Sequence, residues 1–506
     1  MGAGRPDLLL EPSPSAHVSF MYLGLDCGTS GLKALLIDEA GAPVESASRS
    51  YAPDRPNPNW SEQDPETWRV AMAGAIADLR HKGAGKALDA VKAVAFSGQM
   101  HGVVLVDSCG RPERPAILHN DARASREAAD LARDRPELAS IVGVKPTASF
   151  PGPKMLWLSR HEPLSSGNRH LLLAPKDYLR LALTGEALTD MSDAAGSWLL
   201  DEAARTWSAA AADACRVDHD WLPQVVEGVT PVGKIRPAAA VEFGLPAHAL
   251  VAAGAGDAPA GALGLAVAPG DAFISLGTAT QLIVATDRYL PAPEQMIHSF
   301  AHALPGRWYA MAAMLNGAGA LAFAARLFAT TPATLEYEAA QDYRGPGALL
   351  FLPYLSGERT PLDDPFARGV LFGMNETTSR ADVARAVMEG VAMTLAEARR
   401  SLLAAGADFD HAGLIGGGAR SDVWTRMIAS ATNLPIARMA SGETGPALGA
   451  ARLARIAATG EAPDSVCAPP AVTSVTEPYP ELVRSFEAQQ QRFRSLYEAL
   501  KPHFRK

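Results

Sequence analysis

Two short stretches carry residue types suited to gripping a polyphosphate. Asp26-Cys27-Gly28-Thr29-Ser30-Gly31 lies between two apolar runs within residues 23–37, a strand, turn, strand pattern. Thr29 and Ser30 offer hydroxyl donors and Lys33 a point charge, while Gly28 and Gly31 permit positive φ and close approach of backbone N–H groups to an anion. Asp26 puts a hard oxygen at the strand end, where hydrated Mg²⁺ could be held. An ordinary hairpin would use the same glycines, so this loop alone leaves the two readings even. The second stretch, Gly277-Thr278-Ala279-Thr280, repeats the pattern within residues 272–284. The two Gly-Thr pairs, beginning at 28 and 277, stand 249 residues apart, a spacing that predicts two similar halves facing one another. Hairpins from two lobes can hold one polyphosphate from opposite sides, so the expected ligand is a nucleotide.

Further polar residues stand at predicted strand ends, the usual address of ligand groups in an open α/β sheet. Gln99 and His101 follow the apolar run 91–96. Gly254-Ala255-Gly256-Asp257 lifts a carboxylate clear of a small-residue helix where the halves join. Asp257 also fits a helix N-cap, but the glycines before it leave room for a ligand, and a catalytic role is preferred. Gly416-Gly417-Gly418-Ala419 lies between a strand and a helix start, which lets backbone approach a purine or ribose. Dinucleotide-binding loops share that order, but the Gly-x-Gly-x-x-Gly spacing is absent, and the paired hairpins argue against a dehydrogenase.

These groups need a framework, and the chain is long enough to build one. Its 506 residues, 48% hydrophobic and 20% charged, suit a globular protein of several domains. A net charge of −9 without a basic stripe disfavours nucleic acid as a partner and leaves phosphate binding to local loops. Cys27, Cys109, Cys215 and Cys467 show no paired spacing, so neither a disulfide framework nor a zinc site is indicated, and reduced cytoplasmic thiols are expected. Cys27, inside the first phosphate loop, reads as a buried inert thiol rather than an oxidation switch. Residues 1–20, rich in Gly, Pro and Ser, predict a disordered extension with Met21 as an alternative start, and no membrane span is expected.

The boundaries predicted are an N-terminal lobe over 21–266 and a C-terminal lobe over 267–506 with a terminal helix. A helix is expected from Pro65, capped by Asp64, to about Lys82. Residues 150–154 read as a Pro/Gly-rich loop before a helix, and 189–197 as short polar residues that suit either a cap over a sugar or plain helix capping. Residues 385–403 have helical spacing, and the small-residue helix opened by 442–451 is expected to pack on the Gly416 loop. Leu482, Phe486, Phe493, Tyr497 and Leu500 share one face of a docked terminal helix. A homodimer through second-half helices is conceivable, but no exposed seam is readable.

Over 21–457 the chain resembles the FGGY family of carbohydrate kinases, and within it the bacterial members that phosphorylate xylulose. The resemblance rests on Trp60-Ser61-Glu62-Gln63-Asp64-Pro65, Gly98-Gln99-Met100-His101-Gly102, Pro175-Lys176-Asp177-Tyr178-Leu179-Arg180, Asp190-Met191-Ser192-Asp193-Ala194-Ala195-Gly196, Phe351-Leu352-Pro353-Tyr354-Leu355-Ser356-Gly357-Glu358-Arg359-Thr360-Pro361 and Ile415-Gly416-Gly417-Gly418-Ala419-Arg420-Ser421. It implies an α/β actin-like ATPase fold, two RNase H-like lobes around a cleft, with ATP mainly on the C-terminal lobe and sugar mainly on the N-terminal one. By position Asp257 matches the general base, Met100 and His101 the sugar-contacting pair, and Asp26 the Mg²⁺-associated aspartate. Thr29, Ser30 and Thr278 match the phosphate loops, and 416–419 the adenosine loop. The chain departs from the family pattern at Ala258, His119, 150–154 and 277–280, positions that border sugar and phosphate.

The expected reaction is therefore phosphoryl transfer from MgATP to a ketopentose, with Asp257 taking the proton of the attacking hydroxyl. Two alternatives stand beside it, a kinase for another sugar or polyol such as ribulose or an alditol, and a catalytically idle actin-like sensor of sugar and nucleotide. Asp257 argues against the sensor.

Overall fold

The computed structural model describes residues 20–162, 171–263, 265, 268–439 and 445–504. The extension expected at 1–20 lies outside the described residues except for Phe20, as do 266 and 267 at the expected lobe boundary. Two mixed seven-stranded sheets organise the rest.

In the first sheet β1 (Met21–Cys27) and β2 (Gly31–Ile37) form the antiparallel hairpin, with Asp26 opposite Lys33, and β3 (Pro43–Ser50) extends it. The pleat sends Leu23, Leu25 and Cys27 toward α1 (Pro65–Leu79), whose Trp68, Met72, Ile76 and Leu79 complete that core. Pro65 pre-sets the first helical φ, and the Asp64 carboxylate accepts from Glu66 N at 3.0 Å. The chain leaves the helix near Lys82, as expected. It runs through a wide turn, Arg80–Ala84 with Gly83 at φ 93°, into a short helix Gly85–Asp89.

β4 (Val91–Gly98) lies parallel to β1. Residues 151–154, expected as a loop, are the first turn of α2 (Pro151–His161). Pro151 fits there because the first helical N–H has no partner to lose, and Phe150 stays extended before it, as a residue preceding proline prefers. After α3 (Pro175–Thr184), the strands β5 (Pro231–Lys234), β6 (Leu250–Ala252) and β7 (Ala255–Gly256) complete the sheet, and β7 runs into α4 (Asp257–Ala262). The order is β5-β6-β4-β1-β2-β3, with β7 also beside β4.

The second sheet contains β8 (Ala272–Leu276), β9 (Thr280–Thr286), β10 (Ile297–Ala301) and β11 (Trp308–Met314), all antiparallel neighbours in the order β10-β11-β9-β8. α5 (Arg380–Ala404) starts a turn earlier than its spacing predicts, because Ser379 and Asp382 form a capping box ahead of it. β12 (Ala412–Ile415) joins β8 in parallel, and β13 (Ile436–Met439) follows. α6 (Pro446–Thr459), β14 (Val472–Thr476) on the sheet edge, and α7 (Pro480–Phe504) end the chain. α7 buries Leu482, Phe486, Phe493 and Tyr497 on the second core, as its pattern predicts.

α6 does not pack on the Gly416 loop. Its Ala447, Ala450, Ala451 and Leu453 share a core with Tyr22, Leu35, Ala95 and Ala260 on the first sheet. A Cβ on Gly24 would collide with the Ala447 carbonyl, and one on Gly449 with the Ala260 carbonyl, so two glycines set the close approach. Gly442, Glu443 and Thr444, which open the motif, lie outside the described residues. Among the described residues no helix is long and apolar enough to cross a membrane.

Candidate active site

The parallel strands β1, β4 and β7 end together, with Cys27 opposite Gly98 and Gly98 opposite Gly256. From these ends leave the first hairpin turn, the segment 99–101 and Asp257. Gly254, at φ 89°, turns β6 into β7 against the Phe96 carbonyl. Gly256 makes space for Met100, whose Cγ would lie 2.5 Å from a Cβ there. Gly256 also holds the N-cap position of α4, so Asp257 is its first residue rather than its cap.

The Asp257 carboxyl accepts from Ala258 N at 2.8 Å. Burial, and after it the charge of Asp26, pushes the carboxyl up to about 7. Burial also raises Asp26, against the Ser97 hydroxyl at 2.9 Å from its Oδ1 and the charge of Lys33. Two neighbouring carboxylates, one of them with no hydrogen bond on Oδ2 from a described residue, make a donor set that suits Mg²⁺, which takes one or two carboxylates and fills its shell with water and phosphate.

His101 sits at φ 65°, a left-handed conformation that histidine tolerates better than most residues. Its Nδ1 lies 2.6 Å from the Gly196 carbonyl, its ring stands edge-on to Phe150 at 4.9 Å, and Lys154 Nζ donates to its carbonyl at 2.7 Å. Burial pushes the imidazole down to about 3, so the ring is neutral at pH 7. With Nδ1–H facing a carbonyl, Nε2 is left as an acceptor.

A cavity of about 390 Å³ opens beside Asp257. Met100, His101, His119, Asn120 and Phe150 line it from the first half of the chain. The opposite wall is one face of the second sheet: Gln281 pairs with Ala313, His298 with Met311 and Phe300 with Tyr309, and all six line the cavity. His298 is 4% exposed and, among the described residues, neither its ring nitrogens nor the Tyr309 hydroxyl has a hydrogen-bond partner. Arg359 enters from the loop after Leu350–Leu352. Its neighbours are pinned: Glu358 accepts from Leu315 N (2.7 Å), Arg359 N (2.8 Å) and Asn316, and Thr360 Oγ1 donates to the Met296 carbonyl at 2.8 Å. The cavity thus takes its walls from both halves of the chain.

At the second hairpin Gly277 N donates to the Ala279 carbonyl at 3.2 Å, and the Gly277 carbonyl accepts from Ala318 N at 2.7 Å. β12 runs beside β8 and ends in Gly416 at φ 96°, where a Cβ would stand 2.6 Å from the Leu276 carbonyl. A Cβ on Gly417 would meet nothing within 4 Å. Gly277, Thr278 and 416–419 thus converge at one sheet end.

Beside Gly98 and Gly256, in the first half, lies a buried charge cluster. Lys176 Nζ stands 2.5 Å from Asp177 Oδ1, 2.5 Å from Asp190 Oδ2 and 3.1 Å from Asp193 Oδ2, and Arg180 pairs with Asp177 at 2.6 Å. The three carboxylates have the proximity of a metal site, but an ammonium fills it. Burial opposes charge on Lys176, yet the carboxylates hold its pKa above the usual value, and burial raises Asp193 strongly. Of the two readings of 189–197, helix capping is the local one observed: Asp190 accepts from Ser192 N at 2.8 Å.

Some expected site residues take other places. Gln99 does not line the cavity. It turns to the first hairpin, where Thr29 Oγ1 donates to its Oε1 at 3.1 Å. Gly28 and Gly31 do not adopt positive φ. Gly28 N closes the turn on the Gly31 carbonyl at 3.0 Å, and Gly31 is needed because a Cβ would lie 2.9 Å from the Arg49 carbonyl. Ser30 is exposed on the turn and Lys33 faces Asp26 across the hairpin. Sequence reasoning passed over Gln281, His298, Tyr309 and Arg359. A histidine inside the apolar run 297–301 was the legible signal, and Arg359 stood in a quoted motif without a role.

Comparison with known proteins places these features in a family. Residues 21–264 match the FGGY family of carbohydrate kinases, N-terminal domain, and residues 272–458 match its C-terminal domain. The chain is 40% identical over 486 residues to xylulose kinase of Escherichia coli (strain K12), covering 95% of this chain and 99% of the relative. It is 33% identical over 436 residues to xylulose kinase of Bacillus subtilis (strain 168), covering 85% and 87%. Among solved structures, a xyloylose kinase from Brucella ovis superposes with TM-score 0.92 at 43% identity, covering 95% and 99%. Plasmodium falciparum glycerol kinase with ADP, at 18% identity, TM-score 0.85 and coverage of 96% and 99%, shares the fold.

Proposed function

The chain belongs to the FGGY family of carbohydrate kinases, with the actin-like ATPase fold, and we propose that it transfers the γ-phosphoryl group of ATP to the terminal hydroxyl of D-xylulose, giving D-xylulose 5-phosphate and ADP. The observation that carries the chemistry is Asp257, a carboxyl pushed up to about 7 on the wall of a cavity that both halves of the chain enclose.

In this reading O5 of the sugar attacks the γ-phosphorus, the O5–P bond forms as the bond to the β–γ bridging oxygen breaks, and the O5 proton passes to Asp257. A base with a pKa near the working pH combines an ionised fraction with proton affinity. Protein contributes to such a transfer mainly through in-line positioning and stabilisation of charge on the equatorial oxygens. Gly28, Thr29, Ser30 and Lys33 would face the phosphates from one side and Gly277 and Thr278 from the other, with 416–419 beside the adenosine. Asp26 would hold a bound Mg²⁺, which would neutralise phosphate charge. Met100 and the Nε2 acceptor of His101 orient the sugar, and Gln99 acts indirectly by bracing Thr29. The buried wall of Phe150, Phe300 and Met311 keeps water from competing for the phosphoryl group.

Of the positions that depart from the family pattern, His119 and Ala258 line the cavity, which keeps another ketose or polyol as the second reading. ADP release with Mg²⁺ across D-xylulose, D-ribulose, L-ribulose, L-xylulose, glycerol and D-arabitol decides between them. The expected result is preferred turnover of D-xylulose that disappears in Asp257→Ala. Preference for another substrate moves the assignment to that sugar, and no turnover of any leaves the sensor reading.

A further inference from the structure

Most of the charged side chains around the cavity already have partners. Glu358 is engaged by three donors, and Lys154 Nζ donates to the carbonyls of His101 (2.7 Å) and Ser149 (2.6 Å). Arg359 differs, because its guanidinium makes no hydrogen bond or ion pair with any described residue, yet it lines the cavity. Burial holds its pKa below the usual value, against the opposing charge of Glu358. Its backbone is not free to swing away, since Thr360 bonds to Met296 and Ala313 of the second sheet and Glu358 N and O pair with Asp364 at 2.9 Å. His298 belongs to the same wall, with both ring nitrogens unpartnered among the described residues, and burial followed by the charge of Arg359 keeps it neutral at pH 7.

A guanidinium only donates hydrogen bonds, so it needs oxygens that accept. The hydroxyls of an open-chain ketopentose both donate and accept, and any polar wall can satisfy them. Its carbonyl oxygen accepts only. Resting on the ketopentose reading above, we infer that Arg359, with His298 beside it, binds the α-hydroxyketone unit of the sugar and makes the enzyme select a ketose over its alditol. The carbonyl takes guanidinium donors, and His298, which can both donate and accept, takes a flanking hydroxyl. An alditol places a hydroxyl there, which accepts from the guanidinium but brings a proton of its own that a donor-only group cannot take. A site built around a hydrogen bond rejects an analogue that lacks it far more strongly than an apolar pocket rejects an added group.

The test uses the full chain and compares kcat/KM for D-xylulose and for xylitol in the unmodified enzyme, Arg359→Met and Arg359→Lys, with the Ki of xylitol against D-xylulose where its turnover is too slow. ADP affinity and the melting temperature report that each variant is folded. The expected result is a loss of about 100-fold in kcat/KM for D-xylulose in Arg359→Met, with the D-xylulose over xylitol ratio falling at least tenfold, and partial recovery of that ratio in Arg359→Lys. Equal losses for both substrates, the signature of an arginine acting on the phosphoryl group, overturn the inference, as does an unchanged ratio. If the unmodified enzyme does not turn over D-xylulose, the reading beneath it fails first and the inference falls with it.

Discussion

Asp257 combines a cost to stability with a use in catalysis. Its folded pKa of about 7 lies above the value of a solvated carboxylate, so the folded state holds a proton that the unfolded chain gives up near pH 4. Stability from this group is therefore present at low pH and lost as pH rises toward about 7. Asp257→Asn should raise the melting temperature at pH 8, with the gain shrinking at pH 5 and vanishing below about pH 4, in a series of calorimetric scans. The same variant should lower kcat by about 10²–10⁴ with ADP affinity kept. In the unmodified enzyme kcat/KM should rise with pH and level off above about 7, because only the ionised carboxylate takes the proton. Cys27 fits the expectation of an inert thiol: it is buried and pushed up to about 12, whereas Cys109 is exposed. A thiol reagent should titrate one cysteine of the native protein and four after denaturation.

Elements reached from opposite ends of the sequence support that carboxylate. α4 carries Asp257 at its first residue, and α6, nearly two hundred residues on, packs against it through Gly449. Gly449→Ala should cost about 1–3 kcal/mol by overpacking. Because the displaced partner is the helix that bears the base, thermal melts and kcat should fall together. The Lys176 cluster ties α3 to the segment Asp190–Asp193 directly behind Gly256, where a Cβ would lie 3.2 Å from Asp193 Oδ1. Lys176→Met leaves buried carboxylates without their cation and should destabilise by about 3–5 kcal/mol, read as a shift in denaturant midpoint. At this scale local signals were dependable where the cause is local. Pro65 after Asp64 starts a helix by fixed φ and a capped N–H, and the hairpins follow from apolar runs around Gly-Thr. They misled at 151–154, where prolines read as a loop serve as a helix start.

For the molecule as a whole the consequence is a cavity with one wall from each half. Phe150 of the first half meets His298 (ring centroids 6.2 Å apart) and Phe300 (6.3 Å) of the second. A sugar bound there bridges the two sheets, so it should protect both against unfolding. D-xylulose at about 100 times its Kd should add ~2.7 kcal/mol, shifting one cooperative melt upward rather than one of two separate transitions.

Sequence by itself determined the parts whose cause lies within a few residues: both Gly-Thr hairpins, the glycine loop at 416–418, the carboxylate raised after Gly254-Ala255-Gly256, and the docked face of the last helix. Recurrence of the Gly-Thr turn further implied two facing halves. Tertiary structure alone decided which polar side chains share the cavity. Gln99 and His101 are two residues apart, yet one braces a turn and the other faces the cavity, because Gly196 and Gly256 make room only for Met100 and His101. Gln281, His298, Tyr309 and Arg359 join Asp257 through sheet register and a pinned loop. Small residues in α6 announced a close contact, but not with what. That partner is chosen by the complementary glycine and alanine surfaces of the first sheet, and no local pattern encodes a surface so distant in the chain.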